Sequence, residues 1–269
     1  MTEKSTNPFS LEGQLGLITG GGTGIGFGIA QAYVAQGARV VITGRREELL
    51  VEAVAQLGPM ADYRVHDVTQ YDTTESLIES IEAQYGPLTS LVNNAGNQVR
   101  KPAEEITDEE FNAVWHVHVS GAFALSQEAA RRMMAREGGG SIIFMASMAS
   151  LFGIPYVLPY AAAKTAHLGL VRTLAAEWSG RGVRVNAIAP GWIETEMSRG
   201  AFKEVPDRLA KVMGRTPMNT LGKPDDIGWA AVFLASEEAR WISGAVLPVD
   251  AGRLVTTTVS FSKHLPQRR

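Results

Sequence analysis

The sequence predicts a single doubly wound α/β domain, in which helices cover both faces of a parallel sheet. Short apolar runs alternate with longer stretches of helical periodicity along the 269 residues, and no internal repeat, low-complexity tract or Pro/Gly-rich linker divides them. This alternation implies right-handed crossovers between parallel strands. The predicted strands are residues 15–19, 38–43, 63–68, 90–95, 141–147, 183–189 and 245–250.

Several predicted helices have recognisable ends. The helix after the first strand stops at Gly37, a residue type that favours helix C-termini. Thr107 and Glu110 have the spacing of a capping box, which predicts a long helix to about Arg136. Pro224, followed by two acids, suits the first turn of another helix.

Composition excludes several classes of protein. A net charge of −3 argues against nucleic-acid or membrane-surface partners. The absence of cysteine excludes disulfides and thiol catalysis, and the five histidines form no metal-spaced motif. No apolar run approaches the length of a membrane span, and the polar N-terminus lacks a signal core. We therefore expect a cytoplasmic protein without a metal site.

Tyr160 and Lys164 lie four residues apart in "PYAAAK", with three alanines between them. In a helix such residues share one face, and Pro159 suits a first helical position. A nearby ammonium favours the phenolate, so it would lower the phenol pKa from about 10 and give a proton donor and acceptor usable near neutral pH. The alternative is a surface helix on which the two side chains meet by chance.

A glycine-rich segment, "TGGGTGIG" at residues 19–26, follows the first predicted strand and opens the first helix. Glycine permits positive φ and close approach of a ligand, and a helix N-terminus offers free N–H groups to an anion. The spacing, Gly20-x-x-x-Gly24-x-Gly26, departs from G-x-G-x-x-G. Its place at the first strand–helix junction favours a dinucleotide site over a surface turn.

The second predicted strand ends in basic residues, Arg45 and Arg46. An NAD site usually has an acid at this point to bind the adenosine ribose. Arginines suit a 2′-phosphate instead, so NADP(H) is favoured and NAD(H) is possible, unless the arginines are merely solvated. Asp67, at the end of the third predicted strand, could accept from the adenine amino group or cap a turn.

Taken together, these segments resemble the short-chain dehydrogenase/reductase family. The matching pieces, in the family's order, are "TGGGTGIG", "HDV" (66–68), "NNAG" (93–96), Ser147 thirteen residues before Tyr160, "YAAAK" and "APGWIET" (189–195). The resemblance covers residues from about 11 to 254. It implies one Rossmann-type domain with a seven-stranded parallel sheet, over residues 1–269 with peripheral tails at 1–10 and 255–269. It also implies a nicotinamide cofactor and a homotetramer.

The resemblance assigns roles to individual residues. Tyr160 would give a proton to the carbonyl oxygen, Lys164 would hold down the phenol pKa and bind the nicotinamide ribose, and Ser147 would orient the same oxygen. His118 stands where the family usually has an Asn that holds a water linked to the Lys, so it either serves this relay or packs as a polar residue. The implied cofactor site comprises Gly20, Thr23, Gly24, Ile25, Gly26, Arg45, Arg46, Asp67, Val68, Asn94, Ala95, Gly96, Tyr160, Lys164, Pro190, Gly191, Ile193 and Thr195.

The substrate is less clearly indicated. Segments such as "NNAGNQVRKP" resemble gluconate 5-dehydrogenase-like members that act on sugar acids or polyols, and Gln98 and Arg100 could meet hydroxyls or a carboxylate or lie on the surface. The shared motifs equally fit 3-oxoacyl reductase-like members, and the apolar loop 192–216 suits a lipid or steroid ketone. A non-catalytic, cofactor-binding redox sensor is the alternative from another class.

Overall fold

The computed structural model describes residues 7–204 and 207–256. Within them, seven parallel strands form one sheet in the order β3-β2-β1-β4-β5-β6-β7. The strands are β1 Leu15–Thr19, β2 Arg39–Gly44, β3 Ala61–Val65, β4 Ser90–Asn93, β5 Gly140–Met145, β6 Val183–Pro190 and β7 Val246–Val249. The predicted doubly wound α/β fold is confirmed.

The helices lie in two layers on opposite faces of the sheet. They are α1 Gly24–Ala35, α2 Glu47–Leu57, α3 Thr74–Tyr85, α4 Asp108–Trp115, α5 Ala122–Met134, α6 Leu158–Trp178, α7 Glu196–Glu204, α8 Arg208–Met213 and α9 Pro224–Ala235. Successive strand residues point to opposite faces. Leu17 therefore packs in the core with α3, α5 and α6, whereas Ile18 packs in the core with α1, α2 and α9.

Strand order reverses between β1 and β4, which are neighbours in the sheet although β2 and β3 separate them in the chain. Ile18 pairs with Ile42 on one side and Val92 on the other. In open α/β sheets, ligands bind outside the strand carboxyl ends at such a switch point. The fold therefore opens a crevice at the carboxyl ends of β1 and β4.

The third strand differs from the prediction. It was expected at 63–68, but it runs over Ala61–Val65 and Asp67 lies beyond it. The Asp67 carboxylate accepts from the backbone N–H of Thr69 at 2.9 Å and from its hydroxyl at 2.8 Å. This local turn bends the chain away from the sheet, so the apparent alternation of "YRVHDV" extends past the strand.

The long helix expected from Thr107 to Arg136 is also interrupted. Its capping box is present, because Thr107 and Glu110 each accept from the other's backbone N–H. Between α4 and α5, however, a π-helical segment spans His116–Gly121. Such bulges widen the turn and free a carbonyl, and they are frequent at functional sites. Here the segment carries His118 and faces the crevice.

Candidate active site

The predicted site residues gather at the carboxyl edge of the sheet. Gly20 follows β1, Gly96 follows β4, Ser147 follows β5 and Gly191 follows β6. Because the strands are parallel, these segments meet on one side of the molecule. Gly24 and Thr195 show this convergence, since a Cβ on Gly24 would lie 3.4 Å from Thr195 Cγ2. The loops after the first and sixth strands are therefore in contact.

The glycine loop has the conformation that its composition predicts. Gly20 and Gly24 have φ of +65° and +56°, in the region that favours glycine. A Cβ on Gly26 would lie 2.3 Å from the Gly20 carbonyl oxygen and 2.5 Å from Asn94 Nδ2. Any side chain at Gly26 would therefore displace the loop. The result is a bare backbone surface at the N-terminus of α1, which suits a pyrophosphate.

Asn94 stabilises this loop through hydrogen bonds to its backbone. Its side-chain Nδ2 donates to the carbonyl oxygens of Thr19 at 2.9 Å and Gly20 at 3.1 Å. The Thr19 hydroxyl oxygen in turn accepts from the backbone N–H groups of Asn94 and Ala95, each at 3.0 Å. Asn94 was predicted to contact the cofactor, and in this arrangement its amide donors shape the glycine loop.

The basic pair predicted to bind a 2′-phosphate lies on the surface beside β2. Arg45 and Arg46 are exposed, and Arg45 Nη1 lies 3.9 Å from Asp67 Oδ2. Burial is the largest single influence on the pKa of Asp67 and acts to raise it, but hydrogen bonds from Thr69 and the charge of Arg45 together outweigh it and lower that pKa. Asp67 thus caps a turn, and the pair remains open to a ligand.

The loop after β6 packs closely on the end of β7. A Cβ on Gly191 would lie 2.7 Å from Asp250 Cα, so only glycine fits there. Ile193 is buried and forms a bridge with Gly222. Thr195 and Ser198 exchange backbone and side-chain hydrogen bonds that begin α7. These contacts hold the loop over the crevice.

Ser147, Tyr160 and Lys164 are brought together as predicted. Ser147 begins the 3-10 turn at Met148–Ser150, and its hydroxyl oxygen accepts from the Ala149 backbone N–H at 3.1 Å. The Ser147 side chain also acts to lower the pKa of Tyr160. Helix α6 begins one residue before Pro159 and places Tyr160 and Lys164 on one face. Lys164 Nζ lies 5.6 Å from the centroid of the Tyr160 ring and donates to the Met145 carbonyl oxygen at the end of β5.

The electrostatics of this group differ from the prediction. Burial raises the pKa of Tyr160 above its usual value, and the hydrogen bond from Ser147 offsets only part of this. Burial also lowers the pKa of Lys164 to about 7. The expected depression of the Tyr160 pKa by Lys164 is therefore wrong for the unliganded chain. Since both groups share one buried site, loss of water outweighs their mutual effect.

His118 lies in the bulge and contacts the same group. Its ring is 2 % exposed and meets the Tyr160 ring edge-on, with centroids 5.5 Å apart. Its Nε2 lies 2.8 Å from the Asn97 carbonyl oxygen. Burial first, and the charge of Lys164 second, lower the pKa of His118 to about 2. Because burial shifts its pKa, the His118 ring does not titrate near the reference value of about 6.5.

A second buried histidine, His167, was missed in the sequence. It lies one turn beyond Lys164 on α6, and its Nε2 lies 2.7 Å from the His118 carbonyl oxygen. Burial lowers its pKa to about 3, so the ring is neutral and donates to that carbonyl. The i, i+3 spacing from Lys164 was the available signal, but a lone histidine on an apolar helix face is more often a core residue.

The two histidines border a small internal cavity of about 10 Å³, which is about the size needed to hold one water molecule. The Nδ1 atoms of both rings and Asn93 Oδ1 are buried without a hydrogen-bond partner in the described residues. The structure thus places three unsatisfied polar atoms in the region where the resemblance implied a bound water.

Two features are absent from residues 7–204 and 207–256. No helix there is long and apolar enough to cross a bilayer. That part of the chain also contains no group of three or more His, Asp or Glu side chains placed to hold a metal ion.

Comparison with known proteins identifies the family. A family model described as enoyl-(acyl carrier protein) reductase matches residues 20–253. A 2-dehydro-3-deoxy-D-gluconate 5-dehydrogenase of Pseudoalteromonas atlantica is 40% identical over 91% of this chain and 97% of its own. A galactitol 2-dehydrogenase of Cereibacter sphaeroides is 40% identical over 92% of this chain and 97% of its own.

A 3-oxoacyl-[acyl-carrier-protein] reductase of Salmonella typhimurium is 36% identical over 90% of this chain and 98% of its own. Among solved structures, a gluconate 5-dehydrogenase from Burkholderia cenocepacia, in complex with NADP and tartrate, has a TM-score of 0.86. It is 36% identical, over 93% of this chain and 98% of its own.

The fold and these matches define a nicotinamide-dependent oxidoreductase. The chain belongs to the short-chain dehydrogenase/reductase family. Its predicted resemblance to both gluconate 5-dehydrogenases and 3-oxoacyl reductases is confirmed by the names of these relatives.

Proposed function

We propose that this enzyme interconverts a carbonyl and a secondary alcohol on a sugar acid or polyol and prefers NADP(H). The observation that carries the proposal is that Ser147, Tyr160 and Lys164 lie together at the same sheet edge as the glycine loop. Relatives named for gluconate, galactitol and related compounds support the substrate class. We propose that the catalytic and cofactor sites lie within one domain.

The residues present fit a dinucleotide. Glycines 20, 24 and 26 leave a bare backbone surface for a ligand, a Cβ at Gly26 would displace this loop, and Gly191 keeps the opposite loop close to β7. In our proposal these loops hold the phosphates and the nicotinamide amide, Asn93 to Gly96 line the floor, and Lys164 holds the ribose. The bound nicotinamide supplies or accepts the hydride.

Tyr160 gives its proton to the carbonyl oxygen during reduction and takes one back during oxidation. Ser147 donates to the same oxygen and fixes its position, which stabilises the developing charge. With its pKa lowered to about 7, Lys164 can hold or release a proton at neutral pH. A bound ribose hydroxyl would give Lys164 a partner beside Met145.

The arginine pair predicts the cofactor preference. Replacing Arg45 and Arg46 together with Ala should raise the Michaelis constant for NADPH about 10- to 100-fold and that for NADH much less, because charge-assisted hydrogen bonds to the 2′-phosphate are lost. Steady-state kinetics with both cofactors would measure this. An equal effect on the two constants would show that these side chains do not bind the phosphate. The control is Arg181→Ala, because Arg181 lies just before β6, at the amino ends of the strands and away from the site.

Replacing His118 with Asn should leave the acid limb of the kcat–pH profile unchanged. Because the pKa of His118 is lowered to about 2, its ring stays neutral over the working range of about pH 5 to 8, as an Asn side chain does. The variant should also unfold more readily, since the Asn97 carbonyl loses its buried donor. A steeper acid limb in the wild type than in the variant would restore the titrating role that the structure argues against.

A lipid ketone is the second candidate substrate. The Trp192 and Phe202 rings, in the apolar loop 192–216, lie 5.4 Å apart between centroids with an interplanar angle of 37°. Such an apolar surface suits an acyl chain as well as a sugar backbone. Turnover of a 3-oxoacyl thioester, without turnover of sugar acids or polyols, would favour this alternative. NADPH binding without turnover of any of these substrates would favour a redox sensor.

We also propose a cytoplasmic homotetramer. An open groove of about 380 Å³ lies on the outer face of the α5 and α6 layer, and its lining is largely apolar. The lining residues are Tyr71, Val119, Ser120, Phe123, Ala124, Gln127 and Leu170. Two copies meeting on this face would remove the groove from water. Sedimentation equilibrium should give four chains per particle, and a monomer would contradict the proposal.

A further inference from the structure

Arg253 lies just beyond β7, where the chain turns back across the carboxyl edge of the sheet. Its guanidinium carbon lies 5.8 Å from the centroid of the Phe152 ring. Its Nη1 donates to the carbonyl oxygen of Arg215 at 3.3 Å. Phe152 belongs to the segment that connects Ser147 to Tyr160, and its backbone N–H donates to the Met148 carbonyl oxygen. Arg253 therefore borders the segment that carries the catalytic pair.

The same turn borders the proposed cofactor loop. Asp250, three residues before Arg253, packs so closely against Gly191 that a Cβ on that glycine would lie 2.7 Å from Asp250 Cα, and Gly252 packs against Pro217. Arg253 thus lies between the loop after β6 and the segment after β5.

Arg253 carries a charge that the described residues do not balance. It is half-buried, and its Nε is buried without a hydrogen-bond partner in residues 7–204 and 207–256. Burial first, and the positive charge of Arg215 second, lower its pKa, against the opposing influence of Asp250. The Asp250 oxygens accept from the backbone N–H groups of Gly252 at 3.0 Å and Leu254 at 2.6 Å. The Asp250 carboxylate therefore stabilises the turn at residues 250–254 and does not form an ion pair with Arg253 in the described residues.

We infer that Arg253, assisted by Arg215, forms the subsite that binds the carboxylate of a sugar acid and so favours acids over neutral polyols. This inference rests on the proposed function, which leaves both substrate classes open. Besides the Nη1 that donates to the Arg215 carbonyl oxygen, the guanidinium carries further N–H donors and a full positive charge, which suit a carboxylate. The Phe152 ring supports the guanidinium, and partial burial strengthens its attraction for an anion.

Arg100 is the competing anchor. It follows β4 and is exposed on the surface, where water screens its charge. The side chain of its neighbour Lys101 forms an ion pair with Glu110, and the Lys101 backbone N–H donates a hydrogen bond to the Tyr156 carbonyl oxygen. These contacts position the backbone at Arg100 but leave its side chain in solvent. The half-buried Arg253 is the better placed of the two to select a charged substrate.

Kinetics on a matched pair of substrates test the inference. Gluconate and glucitol differ only in a carboxylate replacing a terminal alcohol, and each would be oxidised by the full chain with NADP⁺. Arg253→Gln should raise the KM for gluconate about 10- to 100-fold, the range for a lost hydrogen bond to a charged group, with glucitol KM and both kcat values nearly unchanged. Arg215→Gln should have a smaller effect in the same direction.

Two controls make the result specific. Arg181→Gln removes the same charge at the amino end of β6, far from the site, and should leave both substrates unaffected. Arg100→Gln tests the competing anchor. The inference is overturned if Arg253→Gln weakens both substrates equally or neither. It is also overturned if Arg100→Gln alone gives the acid-selective loss.

A binding measurement separates this inference from the proposed function. Tartrate, titrated calorimetrically into the enzyme with NADPH, reports carboxylate binding without turnover, because an alcohol cannot accept a hydride from the reduced cofactor. Wild type should bind it, and Arg253→Gln should lose about 10-fold or more in affinity, while NADPH affinity measured by fluorescence shows that the variant is folded. Unchanged tartrate binding, or none to the wild type, overturns the subsite. Oxidation of glucitol but not gluconate would overturn it too, while leaving the oxidoreductase proposal intact.

Discussion

Replacing Tyr160 with Phe should reduce turnover by about 100- to 10,000-fold, the usual contribution of general acid–base catalysis. The ring keeps its packing against His118 and loses only the hydroxyl, whose pKa the Ser147 side chain acts to lower. Cofactor binding should stay nearly intact, because no phosphate-binding segment changes. Steady-state kinetics and a fluorescence titration with NADPH would measure the two effects.

Tyr156→Phe is the matched control. Tyr156 lies four residues earlier in the same segment, and it is 61 % exposed. The same loss of a hydroxyl there should leave turnover within about twofold, since surface substitutions away from special features have small effects. Near-normal turnover in Tyr160→Phe would remove Tyr160 from the proposed mechanism.

Replacing Lys164 with Met should lower turnover at least about 100-fold and change how stability depends on pH. Lys164 is 4 % exposed, and burial lowers its pKa to about 7. In the unfolded chain the pKa should be near 10.4, so between these values the unfolded state binds more protons. The free energy of unfolding of the wild type should therefore rise with pH, by about 2 kcal/mol between about pH 7 and 9.

Lys164→Met should lack this rise. Urea unfolding of the cofactor-free protein at the two pH values would measure the difference between wild type and variant, in which groups common to both cancel. Lys211→Met, at an exposed position on α8, should keep the wild-type slope. A wild-type slope in Lys164→Met would mean that Lys164 stays fully charged when buried.

Strand positions could be predicted because each strand is a short apolar run between polar or glycine-rich segments. The exception is β3, where His66 and Asp67 continue the alternation after the strand has ended. Its end is set by the hydrogen bonds from Thr69 to Asp67, and a turn of this kind is not distinguishable from a strand end by periodicity alone. The prediction therefore placed Asp67 at the end of the strand, whereas it lies in the turn that follows, still near Arg45.

The sequence predicted that Ser147, Tyr160 and Lys164 lie close together, as they do, but it did not predict their electrostatics. Ser147, Tyr160 and Lys164 follow from spacing and family order, whereas their pKa values depend on burial, which the sequence does not give. The π-helical turn at His118 has no local composition that separates it from α-helix. Arg253 was overlooked because only the fold brings it to Phe152.

The measurement that tests the central claim most directly is oxidation of gluconate and glucitol by the purified full chain with NADP⁺, followed by the near-ultraviolet absorbance of the reduced nicotinamide. We expect turnover of at least one of the two by the wild type and the Tyr156→Phe control, with loss in Tyr160→Phe. Binding of NADP⁺ without turnover of either substrate, or of their keto forms with NADPH, would contradict the claim.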